Sequence, residues 1–520
     1  MKRTTGAALA SLLAVGVIAG CSSGGQSEPQ PGAEATPGKK PPTQFSISYP
    51  TTSTTGYHTR VDINKDRNTL KLEELTNTDL DIRVVEEAKM SVMFASNDLP
   101  DVVGSLGTAT SKAMSGSVEA GMFMPLDDLL KKYAPNLMKQ VPKEAWEAVS
   151  YQGRIYGIPN WLNNPSRRAT FIRTDLLEKA GLKPPKTIDE FLAVLRKFKE
   201  MGVKHPYAAR ETLKYADVVL GAYDVLPYKE QFELVNGQVV PKFFDVENMT
   251  KALNVMKTMY DEGLIAKEFA TISSADWLKN VRAGDAGIWS SNLISLNDFR
   301  TNIPNAVPGA KVDVISSPKG PDGKGGYLMY LPVTSAHYIN AKVKPETAIE
   351  IVKYFDWMTT DEALKFFTYG IEGVHYTVEN GLIRYKEPTN KEEQEEQDFR
   401  GTLHSSHEST VNRLKMQTDP NGPYILNAFD TILSTEGLTG IGFAPDLEAF
   451  AKYPDAASPA SDAAPKIIMD HIIKMIYGKE PIADWPKVIE EYKAKGGNEI
   501  IKEATDRYNS QKGVLLLGKK

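Results

Sequence analysis

From Phe45 onward, short runs of alternating apolar and polar residues are separated by longer stretches whose apolar residues recur every three or four positions. The first spacing is that of a strand, the second that of a helix. Phe45-Ser46-Ile47-Ser48-Tyr49 alternates and predicts a strand, as do the runs at 82–85 and 101–104. A Ser/Thr/Gly-rich loop and a helix over about 68–77 fall between the first two. Helix grammar is clearest over 186–201. Thr187 and Glu190 make a capping box just after Pro184 and Pro185, and Ile188, Phe191, Leu192, Leu195 and Phe198 share one face. Over 345–358, Ala348, Ile351, Val352, Phe355 and Met358 form a second apolar stripe. Strands alternating with helices predict an α/β class with largely parallel sheets. Turn residues cluster at 318–326 and 453–465, and the charge run at 392–398 reads as a solvated helix face.

Ahead of this body the pattern changes. Lys2 and Arg3 precede an apolar run, 7–18, that is short for a bilayer span but suits the core of a secretion signal. It ends in Ile18-Ala19-Gly20-Cys21, which resembles the bacterial lipobox. Cys21 is the chain's one cysteine, and its thiol is the group that would carry the diacylglycerol and palmitate-type chains. Residues 1–20 are therefore expected to be a lipoprotein signal peptide, and 21–43 a lipidated cysteine with a flexible tether. Five prolines and four glycines with almost no apolar residues over 22–43 cannot bury enough surface to order that stretch. As coil it would reach on the order of 25 Å root-mean-square. Such a leader implies a body held at the extracytoplasmic face of the cell membrane.

Composition narrows the class further. At 520 residues, 41% hydrophobic and 24% charged, the chain is ordinary globular material too long for one core, so two lobes are expected. A net charge of −5 without a basic block argues against nucleic acid. A single cysteine leaves no intrachain disulfide, and the seven histidines lack metal-ligand spacing. One stretch needs weighing: Asp62-Ile63-Asn64-Lys65-Asp66-Arg67-Asn68 with Glu73 matches several positions of a calcium loop. Arg67, however, stands where that loop's sharp turn needs glycine, and helix capping accounts for the same Asp and Asn residues. No metal or cofactor is expected; Asn64 or Asp66 facing a cleft is the functional reading kept.

Several blocks carry a family likeness. Met93-Phe94-Ala95-Ser96-Asn97-Asp98-Leu99-Pro100-Asp101-Val102-Val103 is one, and Tyr151-Gln152-Gly153-Arg154-Ile155-Tyr156-Gly157-Ile158-Pro159 another. Pro125-Leu126-Asp127-Asp128-Leu129-Leu130, Phe171-Ile172-Arg173-Thr174-Asp175-Leu176-Leu177, and Gly478-Lys479 with Trp485 and Gly496-Gly497 agree in order. Together they resemble bacterial extracellular solute-binding proteins, family 1, which include the LipO-type lipoproteins of carbohydrate ABC importers. The resemblance implies a two-lobed periplasmic-binding-protein-like fold with hinge-crossing strands and an interlobe cleft. It implies a monomer whose partners are an oligosaccharide, ABC permease subunits and, through its lipid, the membrane. The lobes are expected at 44–165 with 335–372, and at 166–334 with 373–510. The first crossing would fall near 164–168, the second near 331–335, and the chain would leave again at 370–373.

A sugar site wants aromatic platforms and a few polar side chains at strand ends. Tyr57 lies in the loop after the first strand, where ordinary packing is the alternative. Trp161 stands among Asn160, Asn163 and Asn164, and Trp289 runs into Ser290-Ser291-Asn292; both read as cleft-exposed, against core packing. Glu372-Gly373-Val374-His375-Tyr376 resembles a family block at the lobe exchange, so Glu372, His375 and Tyr376 are candidates for the cleft wall, with hinge architecture as the alternative. Arg173 beside Asp175 reads as a local ion pair. The function expected is capture without catalysis of a carbohydrate for an ABC importer, the chain being no enzyme. A secreted polysaccharide hydrolase and a ligand-sensing co-receptor of a membrane kinase are the alternatives.

Overall fold

The alternating segment at Phe45 forms the strand Thr43–Pro50, central enough that residues 45–49 are all buried. The computed structural model describes residues 40–51, 56–109, 114, 116–407, 413–444 and 446–518. The signal segment, Cys21 and the tether as far as residue 39 lie outside the described residues. Among the described residues no helix is long and apolar enough to cross a membrane.

Three sheets organise the body. The first runs Thr78–Val85, Thr43–Pro50, Val102–Leu106, Val333–Ile339, Gly157–Trp161. Its first three strands are parallel, with Ile47 opposite both Ile82 and Val102; Val333–Ile339 is antiparallel to its two neighbours. The second runs Val312–Ile315, Arg168–Arg173, Ala286–Asn292, His205–Tyr207, with Arg168–Arg173 antiparallel to both strands beside it. The third is wholly antiparallel: Gln238–Pro241, Phe232–Val235, Gly440–Phe443, Val514–Leu517. The sheets are thus mixed rather than largely parallel. The returning strands arise because the chain crosses between lobes and re-enters each sheet from its far end.

The helices follow the apolar stripes. In Ile188–Glu200, Thr187 Oγ1 accepts from the Glu190 amide at 3.2 Å while the Glu190 carboxylate reaches back to the Lys186 amide at 2.6 Å. All five predicted face residues are buried. Pro345–Trp357 lays its stripe on the first sheet, bringing Tyr354 edge-on to Phe45 at 5.4 Å. One apolar cluster gathers residues from Phe45 to Trp161 and from Val333 to Leu403. Two others gather residues from Ala169 to Leu328 and from Met416 to Ala504. The result is a two-lobed α/β fold. Phe399 and Leu403 belong to the first-sheet cluster, so the chain stays against the first sheet well past Gly373. The charge run is part of that: Glu395 and Glu396 of Lys391–Leu403 are buried, paired with Arg60 and Arg67, rather than solvated.

Candidate functional site

The strand directions bring two carboxyl edges to one place. In the first sheet, Pro50, Leu106 and Trp161 are strand ends on the same edge, beside Val333, where the returning strand starts. In the second, Arg168 pairs with Asn292, so that edge also carries the ends of His205–Tyr207 and Val312–Ile315. The chain passes between them at 162–167 and 329–332. The two passages are laced together: the Leu162 amide donates to Pro332 O at 2.8 Å and the Tyr330 amide to Pro165 O at 3.1 Å. A third passage, His404–His407, lies alongside, its His407 carbonyl accepting from the Trp161 amide at 3.1 Å. Crevices at such strand ends are where α/β proteins hold ligands.

Arg168 is the centre of this region. Its side chain has no exposed surface. The guanidinium donates to Asp217, to Asp462 Oδ2 at 2.7 Å and to the Tyr330 hydroxyl at 3.3 Å. It lies 4.8 Å from the Tyr215 ring centre, 5.6 Å from Tyr330 and 5.7 Å from Tyr228. Asp217 is held in turn by the Tyr228 hydroxyl at 3.1 Å and the Leu328 amide at 3.0 Å. Gly221 makes that approach possible, since a Cβ there would stand 2.1 Å from Gly326 O. Burial opposes the charge on Arg168, but Asp217 and the surrounding tyrosines outweigh it and hold the guanidinium well above its usual value. Burial also raises the Tyr215 and Tyr330 phenols, so both remain hydroxyl donors at neutral pH.

Around this anchored charge stand partly exposed groups. Tyr215, Tyr330, Lys214 and Asn292 each keep some surface, with Lys214 paired to Asp462 and the Tyr330 hydroxyl donating to Asn292 Oδ1 at 3.3 Å. Tyr215 is presented by an unusual backbone: Thr212, Leu213 and Tyr215 have φ of 54°, 52° and 65°. Left-handed non-glycine residues cost on the order of 1 kcal/mol or more each and concentrate at ligand sites. The arrangement offers aromatic faces, hydroxyl and amide groups, and a cation whose charge is already balanced. It suits hydroxyl-rich rings.

The residues singled out from sequence fall elsewhere. Trp289 has no exposed surface, stacked on Phe171 at 5.9 Å and edge-on to Phe299 at 5.3 Å; it is core, because its strand lies inside the second sheet with both faces covered. Trp161 is 3% exposed and packs in the first-sheet cluster with its indole donating to Asn163 at 2.9 Å, so it offers no platform. Asn64 is spent on the sheet edge, donating to Ile82 O at 3.2 Å and accepting from the Ile82 amide at 2.7 Å. Asp66 caps Arg67–Thr76 and accepts from the Tyr57 hydroxyl at 3.0 Å, while Tyr57 is buried against Phe399. Asp62 caps the turn at Asn64 and Glu73 accepts from the Leu80 amide, so the calcium-like spacing is used for capping. Among the described residues no cluster of metal-ligating side chains occurs. Tyr376 is buried and donates to the exposed Glu372 at 3.3 Å. His375 meets Glu396 at 3.1 Å. Tyr57, Asp66 and His375 are thus brought together around Asn68 and Glu396, apart from the Arg168 network. Arg173 and Asp175 form the expected buried pair, at 2.7 and 2.8 Å.

The loop supplying Asp462 holds a second buried acid in place. Ser461 Oγ donates to Glu230 at 3.2 Å, and Glu230 is 3% exposed. Burial pushes its carboxyl up to about 7, against the opposing pull of Lys229. Between the ordinary value of 4.5 and 7 the folded chain holds a proton that the unfolded chain has released. Stability from this group is therefore full below pH 4.5 and falls as pH rises, by about 3 kcal/mol once pH 7 is passed. Urea midpoints measured at pH 5.5 and pH 8 should show Glu230→Gln losing less stability over that interval than the parent chain.

Comparison with known proteins gives the family. The model of bacterial extracellular solute-binding proteins matches residues 71–365. The polygalacturonan/rhamnogalacturonan-binding protein YtcQ of Bacillus subtilis (strain 168) is 30% identical over 522 residues, covering 96% of this chain and 97% of that one. Lipoprotein LipO of the same organism is 28% identical over 473 residues, covering 85% and 88%. In fold, the chain is similar to an HMO binding, ABC-transporter-associated solute-binding protein from Bifidobacterium longum infantis. That match has a TM-score of 0.65 at 15% identity and covers 90% of this chain and 99% of the other. It is also similar to alginate-binding protein AlgQ2, with TM-score 0.57 at 20% identity and coverage of 91% and 99%. The chain belongs to the bacterial extracellular solute-binding protein family.

Proposed function

We propose that this protein captures an oligosaccharide between its lobes and delivers it unaltered to an ABC permease. The observation that carries the reading is the pair of partly exposed tyrosines, Tyr215 and Tyr330, set over the buried guanidinium of Arg168 where both sheets end. Aromatic faces stack on sugar rings, and the Tyr330, Asn292 and Lys214 side chains reach hydroxyls. The names of two relatives support a sugar: the polygalacturonan/rhamnogalacturonan-binding protein already described and a fructooligosaccharide ABC transporter substrate-binding protein of Streptococcus pneumoniae, 24% identical over 202 residues. The lobes are taken as 44–165 with 335 to about 403, and 166–334 with the remainder, the first extended past 372 because Phe399 and Leu403 pack on its sheet. Ligand closes the cleft only through contacts it makes better in the closed form. Cys21 carries the lipid, and the body works as a monomer at the outer face of the cell membrane.

Calorimetry against neutral and acidic plant, fungal and bacterial oligosaccharides tests the reading. One saturable site is expected, with the saccharide recovered intact by chromatography and Tyr330→Ala weakening it about ten-fold, worth ~1.4 kcal/mol. Turnover of the saccharide would replace binding by hydrolysis. Mass spectrometry of the membrane fraction should find the diacylglyceryl mass on Cys21 and lose it in Cys21→Ser.

A further inference from the structure

A second pocket, on the first-sheet side, carries more positive than negative charge. About 80 Å³ in volume and open to solvent on one side, it is lined by the start of Arg67–Thr76, the turn holding Val374 and His375, the segment from Tyr385 to Pro388, and one face of Lys391–Leu403. Each carboxylate on its wall is already matched. Glu396 receives Arg67 through two bonds of 2.6 Å and Asn68 at 3.0 Å. These bonds and that from His375 outweigh burial and hold its carboxyl well below the usual range. Glu393 accepts from the Thr389 amide at 2.7 Å and from Lys386 at 3.3 Å. His375 is engaged at both ring nitrogens, Nδ1 accepting from the Ile371 amide at 3.0 Å and Nε2 standing 3.1 Å from Glu396.

Arg400 is the charge left over. It is 1% exposed, and its guanidinium donates to the carbonyls of Phe367 at 3.3 Å and Thr368 at 3.4 Å and bonds the neutral Tyr385 phenol. Among the described residues no carboxylate comes within 4.0 Å of it. Two long bonds to neutral carbonyls and one to a neutral phenol are poor compensation for a guanidinium taken out of water. Gly370 keeps the space in front of it clear. With φ of 81°, it stands where a Cβ would fall 2.5 Å from His375 Nδ1 and 2.7 Å from Arg400 Nη1. Arg168 differs on this point, since its charge is met by Asp217 and Asp462.

We propose that this pocket is a second ligand site, separate from the cleft, for the carboxylate or phosphate group of a small molecule whose remainder extends through the open mouth. Arg400 is the counter-charge, Lys386 stands at the mouth, and Val374 and Pro388 supply the apolar wall. A sugar acid and a free phosphate share the chemistry. Titration calorimetry of the full chain at low salt with glucuronate, inorganic phosphate and glucose distinguishes them: one or both anions bind and glucose does not, the tighter anion naming the source. Arg400→Gln is expected to abolish the anion heat. Lys386→Gln, at a largely exposed residue, should weaken anion binding about five-fold with an unchanged melting temperature. Tyr330→Ala in the cleft should leave the anion titration as in the parent. The proposal is overturned if glucose binds as well as glucuronate, if neither anion binds, if Lys386→Gln binds anions as the parent does, or if Tyr330→Ala removes the anion heat.

Discussion

Arg168→Leu is expected to destabilise the protein by about 3–5 kcal/mol and to eliminate saccharide binding. The two effects have separate causes. Removing the guanidinium leaves Asp217 fully buried with its negative charge facing only the Tyr228 hydroxyl and the Leu328 amide. An unpaired buried charge, unlike a buried pair replaced whole, carries the full penalty of desolvation. Arg168→Leu with Asp217→Asn should therefore recover much of the stability, because the amide oxygen can accept from the Leu328 N–H while the Tyr228 hydroxyl accepts from the amide nitrogen. It should not recover binding. Tyr215 would have lost the cation beneath its ring, Tyr330 its hydrogen-bonded neighbour, and Asp462 one of the two cations, Arg168 and Lys214, that hold the 453–465 loop to the site. Urea unfolding of the single and double variants, together with calorimetry on the double, separates these contributions. A single variant as stable as the parent would remove Arg168 as the organising charge of the cleft.

That this residue escaped the sequence pattern has a physical reason. Arg168 follows Asn164-Pro165-Ser166, and Tyr330 precedes Leu331-Pro332, so both stand at crossings that turn residues mark well. What gives them a role is Asp217, 49 residues away, and Asp462, 294 residues away. Local period carries no information on such pairings. The same limit explains Trp289. Its polar neighbours suggested an exposed loop, yet Ser290 is satisfied inside the sheet by Thr170 and the Tyr207 hydroxyl, leaving the indole in the core. Where the sequence signal is local, it holds. The stripes over Ile188–Glu200 and Pro345–Trp357 are buried as their period requires, and Arg173–Asp175 closes within two residues. The third passage, His404–His407, has no glycine or proline to betray it. It is fixed by contacts, among them Ser405 with Tyr49 at 2.8 Å across 356 residues.

Acid is expected to unfold the chain steeply below about pH 5, because two histidines are buried in neutral form. His337 lies between Tyr49 and Phe355 in the first sheet, 3% exposed, with neither ring nitrogen hydrogen-bonded among the described residues. Burial lowers it to about 3. His404, stacked on Phe367 at 4.1 Å and on His407 at 3.6 Å, is likewise lowered to about 3 by burial, against the bond it makes to Met358 O at 2.8 Å. Between pH 6.5 and 3 the unfolded chain binds protons that the folded chain refuses, so stability is whole above 6.5 and lost as pH falls. Each histidine withdraws about 1.4 kcal/mol per pH unit, hence ~3 kcal/mol at pH 4.5, and the two together approach the whole stability of an ordinary domain. Glu230 works in the opposite sense between pH 4.5 and 7, offsetting one histidine over that interval and setting the expected optimum near pH 6.5. His337→Leu, filling a site that makes no hydrogen bond, should narrow the gap between melting temperatures at pH 7 and pH 4.5 by roughly half of what the two histidines contribute. His404 stands in the third passage between lobes, so its protonation bears on the hinge as well as on the core. At pH 5 folded His404 is still neutral, so the parent and His404→Gln should each keep the saccharide affinity they show at pH 7. A loss of affinity at pH 5 in the parent alone would mean that His404 takes up its proton in the folded chain and so bears on the cleft directly.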